Sequence, residues 1–221
     1  TATAHAIQAE ATATAQARNA KATATAHAIQ AEATATAQAR ENNIISLTNR
    51  SELVFGPMDG SLEHEEDENI EKVGSAVDLK DFIAEVTFFN PYSRYTADWD
   101  YGFLFRDMYR NDQYRLVIFS DETWILSNAI PDDEGDGWQS EYIADGEIPN
   151  LDTSANGRNE IRLICYGVKG FLYINQSFIA ELDLSDRTNS GDVIVATGIY
   201  NGDEVDGQFT KFQDFTVWEI P

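Results

Sequence analysis

The chain has few of the features that cross-link or anchor a protein. It contains a single cysteine, Cys165, among 221 residues, so no disulfide can form within the chain. Because Cys165 lies in the apolar run IRLICY, we expect it to be a buried small hydrophobic residue. No apolar run reaches the roughly 18 residues that a transmembrane helix needs, so we expect no membrane span in this sequence.

Basic residues are also scarce. The 15 Lys and Arg residues stand against 38 Asp and Glu residues, which gives a formal net charge of −23. An acidic surface of this size argues against nucleic acid or an anionic membrane as a partner. The imbalance is uneven, because residues 1–40 carry 3 basic and 2 acidic residues (net +1), whereas the remaining residues carry 12 and 36 (net −24).

Recognisable catalytic motifs are missing as well. The sequence contains no Gly-x-Ser-x-Gly, no Cys/His pair and no phosphate-binding loop. His5 and His27 lie in the Thr/Ala-rich N-terminal segment, and His64 stands alone in an acidic stretch. We therefore predict that the chain is not an enzyme.

The first 40 residues form a repeat with a period of eleven. TATAHAIQAEATATAQAR occupies residues 1–18 and returns as residues 23–40. Eleven residues correspond to three helical turns of about 3.67 residues, so the pattern would keep its face along an α-helix. We predict a long α-helix with these residues as its assembly surface: Ala2, Ala6, Ala9, Ala13, Ala17, Ala20, Ala24, Ala28, Ala31, Ala35 and Ala39, with Ile7 and Ile29.

A second alanine stripe would lie on roughly the opposite side of this helix and give it two contact faces. Alanine buries little area and threonine is a poor helix former, so the helix implies copies of itself as partners. Two alternatives stay open. The alternation of Ala with other residues would suit a β-stacked fibre segment, although its face changes every eleven residues. A disordered, O-glycosylated stalk is the other alternative.

We divide the chain into a repeat segment, residues 1–43, and a mainly β domain, residues 44–221. In the second part, runs rich in Val, Ile, Phe, Tyr and Trp alternate with Gly, Asn and Asp turns, which is typical of a jelly-roll β-sandwich. Hairpin turns are predicted at residues 167–170, 175–176 and 201–202. The predicted strands are 82–89, 101–107, 113–120, 123–129, 159–167, 170–175, 177–184, 192–200 and 212–220.

The segment NEIRLICYGVKGFLYINQSFIAELDLS, residues 159–185, resembles the hairpin signature of concanavalin A-like lectin and glucanase sandwiches, which include laminin-G-like domains. GIYNGDE and FQDFTVWEI resemble the last strands of that family, and WDYGFLFRD resembles its central sheet. The resemblance covers roughly residues 51–220 and implies a concanavalin A-like jelly roll. Together with the Thr/Ala repeat, the chain also resembles surface proteins of filamentous bacteria, which implies an extracellular or cell-surface location.

Within this resemblance, Glu181, Asp183 and Asp186 are similar to the Glu-x-Asp-x-x-Glu strand of laminarinase-type glycoside hydrolases. That strand places its catalytic carboxyl groups on one face of the sheet, and retaining hydrolysis needs two of them about 5–5.5 Å apart. Here the third acid is Asp rather than Glu and falls in the turn before Arg187. The same Leu-Asp-Leu also ends an ordinary laminin-G-like strand, so the prediction of no enzymatic activity stands.

One acidic loop has calcium-type spacing. Asp132, Glu134 and Asp136 occupy positions 1, 3 and 5, and Gly137 occupies position 6. Position 12 is Ile143 rather than a bidentate Glu, so the loop is not a standard EF-hand. Many sandwiches of the resembled class bind calcium at one rim, so we predict these three carboxylates as candidate ligands. A solvated acidic loop is the alternative, and no other cofactor is indicated.

Sugar binding by such a sandwich would use exposed aromatic rings at a sheet face or rim. We predict Trp138, Trp99 and Tyr101 as candidate carbohydrate-binding residues, and Trp138 is the one that follows the acidic loop. The alternative for Trp99 is a place in the core, where large aromatic residues usually lie.

Two functional hypotheses follow. In the first, the chain is a structural subunit of an extracellular fibre or sheath, a homopolymer in which the repeats pack between chains and the acidic sandwiches cover the surface. In the second, the sandwich is a cell-surface carbohydrate-binding module and the repeat is its stalk. Neither hypothesis involves nucleic acid or a membrane span.

Overall fold

The computed structural model describes residues 2–64, 70–108, 112–131, 138–200 and 205–221, with side chains from residue 16 onward apart from those of 17, 20 and 138. The chain divides into two compact units, Thr1–Asn49 and Arg50–Pro221. The boundary that composition suggested, at 43/44, lies within the helix of the first unit.

That helix, α1 (Ala2–Arg50), contains the Thr/Ala repeat from Ala2 onward. Threonine hydroxyls bond back to the helix: Thr25 Oγ1 donates to the Lys21 carbonyl at 3.0 Å, and Thr34 Oγ1 donates to the Gln30 carbonyl at 2.8 Å. Ile29 is 63% exposed. The described alanines of the predicted assembly stripe are exposed too, and their packing against other copies stays a prediction. No helix in the described part of the chain has the length and apolar character needed to cross a membrane.

The second unit is a β-sandwich of two six-stranded antiparallel sheets, which confirms the predicted fold class at that level. The strand order is β1-β12-β3-β8-β9-β10 in the first sheet and β2-β11-β4-β5-β6-β7 in the second. The strands are β1 (Glu52–Glu63), β2 (Glu71–Gly74), β3 (Phe82–Phe89), β4 (Asp100–Asp107), β5 (Gln113–Phe119), β6 (Thr123–Pro131), β7 (Trp138–Glu147), β8 (Arg158–Tyr166), β9 (Lys169–Ile174), β10 (Ser177–Asp183), β11 (Asp192–Thr197) and β12 (Phe209–Glu219).

Each of the nine predicted strand segments corresponds to one of these strands, whereas β1, β2 and β7 were not predicted. Two predicted hairpin turns are confirmed. Gly167 has a φ of 62° between β8 and β9, and Asn175 and Gln176 have φ values of 50° and 65° between β9 and β10. Two consecutive positive φ angles match the right-handed twist of a two-residue hairpin. The third turn, at 201–202, lies outside the described residues.

The core lies between the two sheets and follows the period of two along each central strand. In β3, Phe82, Ala84, Val86 and Phe88 all belong to the main buried cluster. Cys165 of β8 is buried in the same cluster, as expected, and burial raises the pKa of its thiol to about 12. This thiol therefore stays protonated in the physiological range.

The connections form two rims at opposite ends of the sandwich. At the first rim, the last residue of β4, Asp107, pairs with the first residue of β11, Asp192. Because the strands of this sheet are antiparallel, the segments that follow β2, β4 and β6 and the segment that precedes β11 lie at the same end. The second rim contains the chain after β3, β5, β7 and β11. Each sheet also has two edge strands, β1 and β10 in the first and β2 and β7 in the second.

A buried arginine fixes the first rim. Arg106 has a φ of 50° and is 0% exposed. Its guanidinium donates to the carbonyls of Lys80, Gly167, Leu184 and Arg187, which belong to three separate connections. A buried charge with this many hydrogen bonds is well compensated, and it holds the three segments in one arrangement.

Candidate functional site

Two of the three predicted sugar-binding residues lie in the core. Trp99 and Tyr101 are 1% and 0% exposed, and their rings stack at 5.0 Å between centroids. Phe88 stacks on the other side of Tyr101 at 4.5 Å. A covered ring cannot offer its face to a sugar, so the prediction of Trp99 and Tyr101 as carbohydrate-binding residues is corrected: they are packing residues.

The hydroxyl of Tyr101 explains why a tyrosine stands in this core position. It donates to Asn90 Oδ1 at 3.1 Å and accepts from Asn159 Nδ2 at 2.8 Å. Burial raises the pKa of Tyr101, so the phenol stays neutral and keeps its role as a donor. The sequence shows the aromatic ring but not the buried amides that satisfy its hydroxyl.

The predicted calcium loop, with Asp132, Glu134 and Asp136, lies outside the described residues, as does the side chain of Trp138. The backbone of Trp138 pairs with Pro131, which puts the start of β7 at the first rim. Among the residues that the structure describes, no group of three or more His, Cys, Asp or Glu side chains is arranged to hold a metal ion. Both predictions therefore stay predictions.

The carboxylates that resemble a glycosidase strand lie on an edge strand. Glu181 and Asp183 of β10 are both exposed, and Glu181 forms an ion pair with Lys169. Hydrogen bonds from Ser185 hold the pKa of Asp183 below its usual range. A general acid in glycoside hydrolysis needs a raised pKa instead. The environment of Asp183 thus favours the ionised form of this carboxylate.

An open cleft of about 790 Å³ lies at the first rim. It is formed where the end of β4 meets the start of β11 and the segment that follows β2. Its walls combine carboxylates, an amide and a hydroxyl with two apolar side chains. They are Val77, Asp78, Asp107, Met108, Asn189, Ser190, Gly191 and Asp192.

Asp192 is held rigidly in this cleft. Its Oδ1 accepts hydrogen bonds from Ser75 Oγ at 2.8 Å, from the Val77 amide at 3.2 Å and from the Val193 amide at 2.8 Å. These donors come from the chain after β2 and from β11 itself. The carboxylate is therefore positioned before any ligand arrives, which lowers the entropic cost of binding.

Asp107 is supported from behind by buried polar residues of β5. Gln113, with its amide oriented to satisfy both neighbours, donates to Asp107 Oδ1 at 2.9 Å and accepts from Arg115 Nε at 3.3 Å. Gln113 and Arg115 are 0% exposed. Burial lowers the pKa of Arg115, with Tyr200 and Asp107 acting in the opposite direction. The chain of contacts fixes the carboxylate of Asp107 at the cleft wall.

Gly191 lets two backbone segments meet at the cleft floor. A Cβ atom there would lie 2.4 Å from the carbonyl carbon of Arg106 and 2.6 Å from the amide nitrogen of Asp107. The amide and carbonyl of Gly191 instead pair with those of Leu79 at 3.1 and 3.0 Å. Any larger residue would push the start of β11 away from β4 and open the site.

The cleft suits a hydroxyl-rich ligand. Asp78, Asp107 and Asp192 supply hydrogen-bond acceptors, and Asn189 supplies both a donor and an acceptor. The side chain of Met108 is 46% exposed, and its sulfur lies 3.3 Å from the Asn189 side-chain nitrogen. It therefore forms an apolar patch beside the polar groups. Among the lining residues that the structure describes, none is cationic, and the carboxylates among them disfavour an anion.

Sequence reasoning missed the residues of this cleft. Asp107 and Asp192 stand at the ends of two predicted strands, and Asn189 lies in the turn between strands. The sequence does show polar residues at the ends of predicted strands. To group them into one site, one must know that β4 pairs with β11, and the paired residues Asp107 and Asp192 are 85 positions apart in the sequence.

No protein-family model matches the chain, and a comparison with curated proteins gives no match. Among solved structures, the chain is similar to carbohydrate binding module CBM66 from Bacillus subtilis, with 13% identity, a TM-score of 0.51, and coverage of 76% of this chain and 94% of that one. It is also similar to a fructosyltransferase from A. japonicus, with 14% identity and a TM-score of 0.56. A β-fructofuranosidase from Aspergillus kawachii shows 16% identity and a TM-score of 0.53.

The two fungal alignments include 78% and 81% of this chain but only 27% and 29% of the fungal chains. At these identities the likeness concerns the fold alone. The fold is a two-sheet sandwich consistent with the concanavalin A-like type that the sequence resembles.

Proposed function

We propose that the sandwich is a carbohydrate-binding module and that the cleft at the first rim is its binding site. The observation that carries the proposal is the extent of the fold likeness. The chain spans 94% of a carbohydrate-binding module but under a third of two enzymes that contain a similar sandwich. The part that this chain shares with those enzymes is the sandwich alone, and that sandwich matches a carbohydrate-binding module over nearly its full length.

The chemistry of the cleft supports the same role. Its volume of about 790 Å³ lies in the range of ligand sites. Fixed carboxylates such as Asp192 can accept hydrogen bonds from neighbouring hydroxyls of one sugar ring, while Met108 and Val77 cover its C–H surface. The three carboxylates Asp78, Asp107 and Asp192 among the described lining residues favour neutral glycans over sulfated or uronic acid polymers.

Helix α1 then has the role of a stalk that presents the module at a bacterial surface, and surface carbohydrate is the partner. A second candidate role for the helix is association with copies of itself, as in the fibre hypothesis. The observation that favours it is Ile29, which is 63% exposed beside exposed alanines. Both roles require the chain to lie outside the cell.

Glycan-array screening followed by calorimetry tests the binding function. The variant Asp78→Asn with Asn189→Ala removes two exposed cleft groups, and we expect its affinity for the best glycan to fall about tenfold or more. Glu181→Gln is the matched control, because it changes an exposed acid on β10, which belongs to the other sheet, and it also tests for hydrolysis. A flat array with the wild-type chain would refute the function, and an unchanged double variant would refute the site.

The calcium and fibre proposals have their own tests. If Asp132, Glu134 and Asp136 hold calcium, chelator should weaken glycan binding and added calcium should restore it. If the helices assemble, negative-stain images of the whole chain should show fibres, and deletion of residues 1–40 should leave a monomer. Discrete particles from the whole chain would reduce α1 to a stalk.

A further inference from the structure

A second pocket lies on the other sheet and at the other end of the sandwich. It has a volume of about 330 Å³ and is formed by β1, β12, the end of β3 and the connection before β8. The residues that matter are Asp59, Phe89, Asn156, Lys211 and Gln213. Phe89 ends β3 at the second rim, whereas the cleft lies at the first rim.

The floor of this pocket is aromatic. Phe89 is half-buried and pairs across the sheet with Lys211 of β12. Phe212 is buried below, next to Gly60 of β1. A Cβ atom on Gly60 would lie 2.5 Å from the Phe212 ring, so the glycine leaves space that the ring fills. The pocket thus has a rigid apolar base rather than a loose surface patch.

The polar groups around the floor are positioned by backbone contacts. Asp59 Oδ1 accepts from the Asp214 amide at 3.0 Å. Asn156 has a φ of 58°, and its amide donates to the Asn90 carbonyl at 3.2 Å. Lys211 and Gln213 project from the same side of β12, two residues apart. One cation, one anion and two amides therefore surround one aromatic ring.

We propose that this pocket binds a single neutral sugar ring. The face of Phe89 would cover the C–H side of the ring, while Lys211 and the amides donate to its hydroxyls and Asp59 accepts from them. The nearly balanced charge favours a neutral ligand, and the volume is less than half that of the cleft. The inference rests on the proposed function for the class of ligand, but it concerns separate residues.

Two sites at opposite ends of the sandwich would let one domain bind a glycan at two points. A single domain could contact two glycan chains, or two positions of one chain, so that the second contact forms at a high effective concentration. Binding to a polymer would then be tighter than binding to a free monosaccharide, although each site alone is weak. The pocket is the site that a free monosaccharide should fill.

The test uses the whole chain and methyl glycosides of glucose, galactose, mannose and fructose as probes. Amide NMR shifts report which residues each probe affects. The pocket variant is Lys211→Ala with Asn156→Gly, because glycine accepts the positive φ of residue 156 without strain. The matched control is Lys169→Ala, an exposed lysine on β9. Gln213→Ala is a second pocket variant at an exposed position, and an unchanged dispersion of the amide spectrum in each variant shows that the fold is kept.

We expect at least one probe to shift the amides around Phe89 and Lys211, and the pocket variant to weaken that binding about tenfold. The cleft variant Asp78→Asn with Asn189→Ala should leave it unchanged. Loss of all binding in the cleft variant alone would overturn the pocket and keep the proposed function. Loss in the pocket variant alone would support the pocket and would leave the cleft to be decided by the glycan-array test. Absence of any shift in the wild-type chain, together with a flat glycan array, would overturn both.

Discussion

Most described repeat side chains of helix α1 are exposed, whereas the sandwich buries a large cluster of aromatic and aliphatic side chains between its sheets. In the helix, a threonine finds its hydrogen-bond partner four residues away, as Thr25 does with Lys21. In the sandwich, Lys211 pairs with Phe89, which is more than a hundred residues away. The helix is therefore governed by local propensity and the sandwich by distant packing, and substitutions should affect the two units differently.

The largest effect is expected from Trp99→Ala. Trp99 is 1% exposed and stacks on Tyr101, so removing its ring should lower the free energy of unfolding of the sandwich by about 3–5 kcal/mol. Denaturant unfolding followed by near-ultraviolet circular dichroism measures this change. Tyr95→Ala is the matched control, because Tyr95 is 89% exposed and its loss should change stability little. Equal effects of the two variants would contradict the assignment of Trp99 to the core.

A smaller loss is expected from Tyr101→Phe. The variant keeps the stacked ring but leaves the amides of Asn90 and Asn159 without the hydroxyl that they share. We expect a loss of about 1–3 kcal/mol in the free energy of unfolding, again by denaturant titration. Tyr166→Phe, on a tyrosine that is 40% exposed, should have almost no effect. A neutral Tyr101→Phe would show that the buried network contributes little.

The pH dependence of the sandwich should respond to Glu85→Gln. Burial raises the pKa of Glu85 above its ordinary value of 4.5, against the opposing effect of Arg162. The folded state then holds the proton to higher pH than the unfolded state, so this contribution is fully present below pH 4.5 and is lost as the pH rises through the raised pKa. Unfolding curves from pH 4 to 8 should be flatter in Glu85→Gln than in the wild type. If the free energy of unfolding of both proteins changed equally with pH, the raised pKa of Glu85 would be contradicted.

The smallest effect is expected in the repeat, from Thr25→Ala. Alanine is the better helix former by about 0.5 kcal/mol, and Thr25 has an exposed side chain. Helical circular dichroism at 222 nm during heating should therefore show a slightly more stable helix, with no change in the sandwich. A decrease would mean that the hydroxyl bond to Lys21, or a contact with another copy, outweighs propensity.

The strand pattern of the sandwich was predictable because its central strands bury one face or both. The run 82–89 matched β3, and the run 113–120 matched β5, since each is dense in apolar residues. β7 escaped prediction because it is polar along most of its length, and β1 because it contains Gly56, Pro57 and Gly60. Strands that are held at an edge by backbone pairing leave little trace in the apolar pattern.

The candidate site was much less predictable. Trp99 and Tyr101 were chosen as aromatic residues near a rim, but sequence alone cannot tell which face of the sheet a ring takes. The cleft depends on Gly191 meeting Arg106, and the pocket depends on Lys211 lying beside Phe89. These are consequences of strand order, which joins residues from distant parts of the chain. Residue type at one position carries no information about such neighbours.

The four edge strands bear on how the chain behaves when it is crowded at a surface. An open edge invites a strand from another molecule and so starts aggregation. Here β2 is only four residues long, and β1 contains Pro57 and shifts in register. β7 contains Glu141, Asp145 and Glu147, and β10 contains Glu181 and Asp183. Each edge thus resists amyloid-like pairing in its own way, so many copies can stand side by side without their sheets joining.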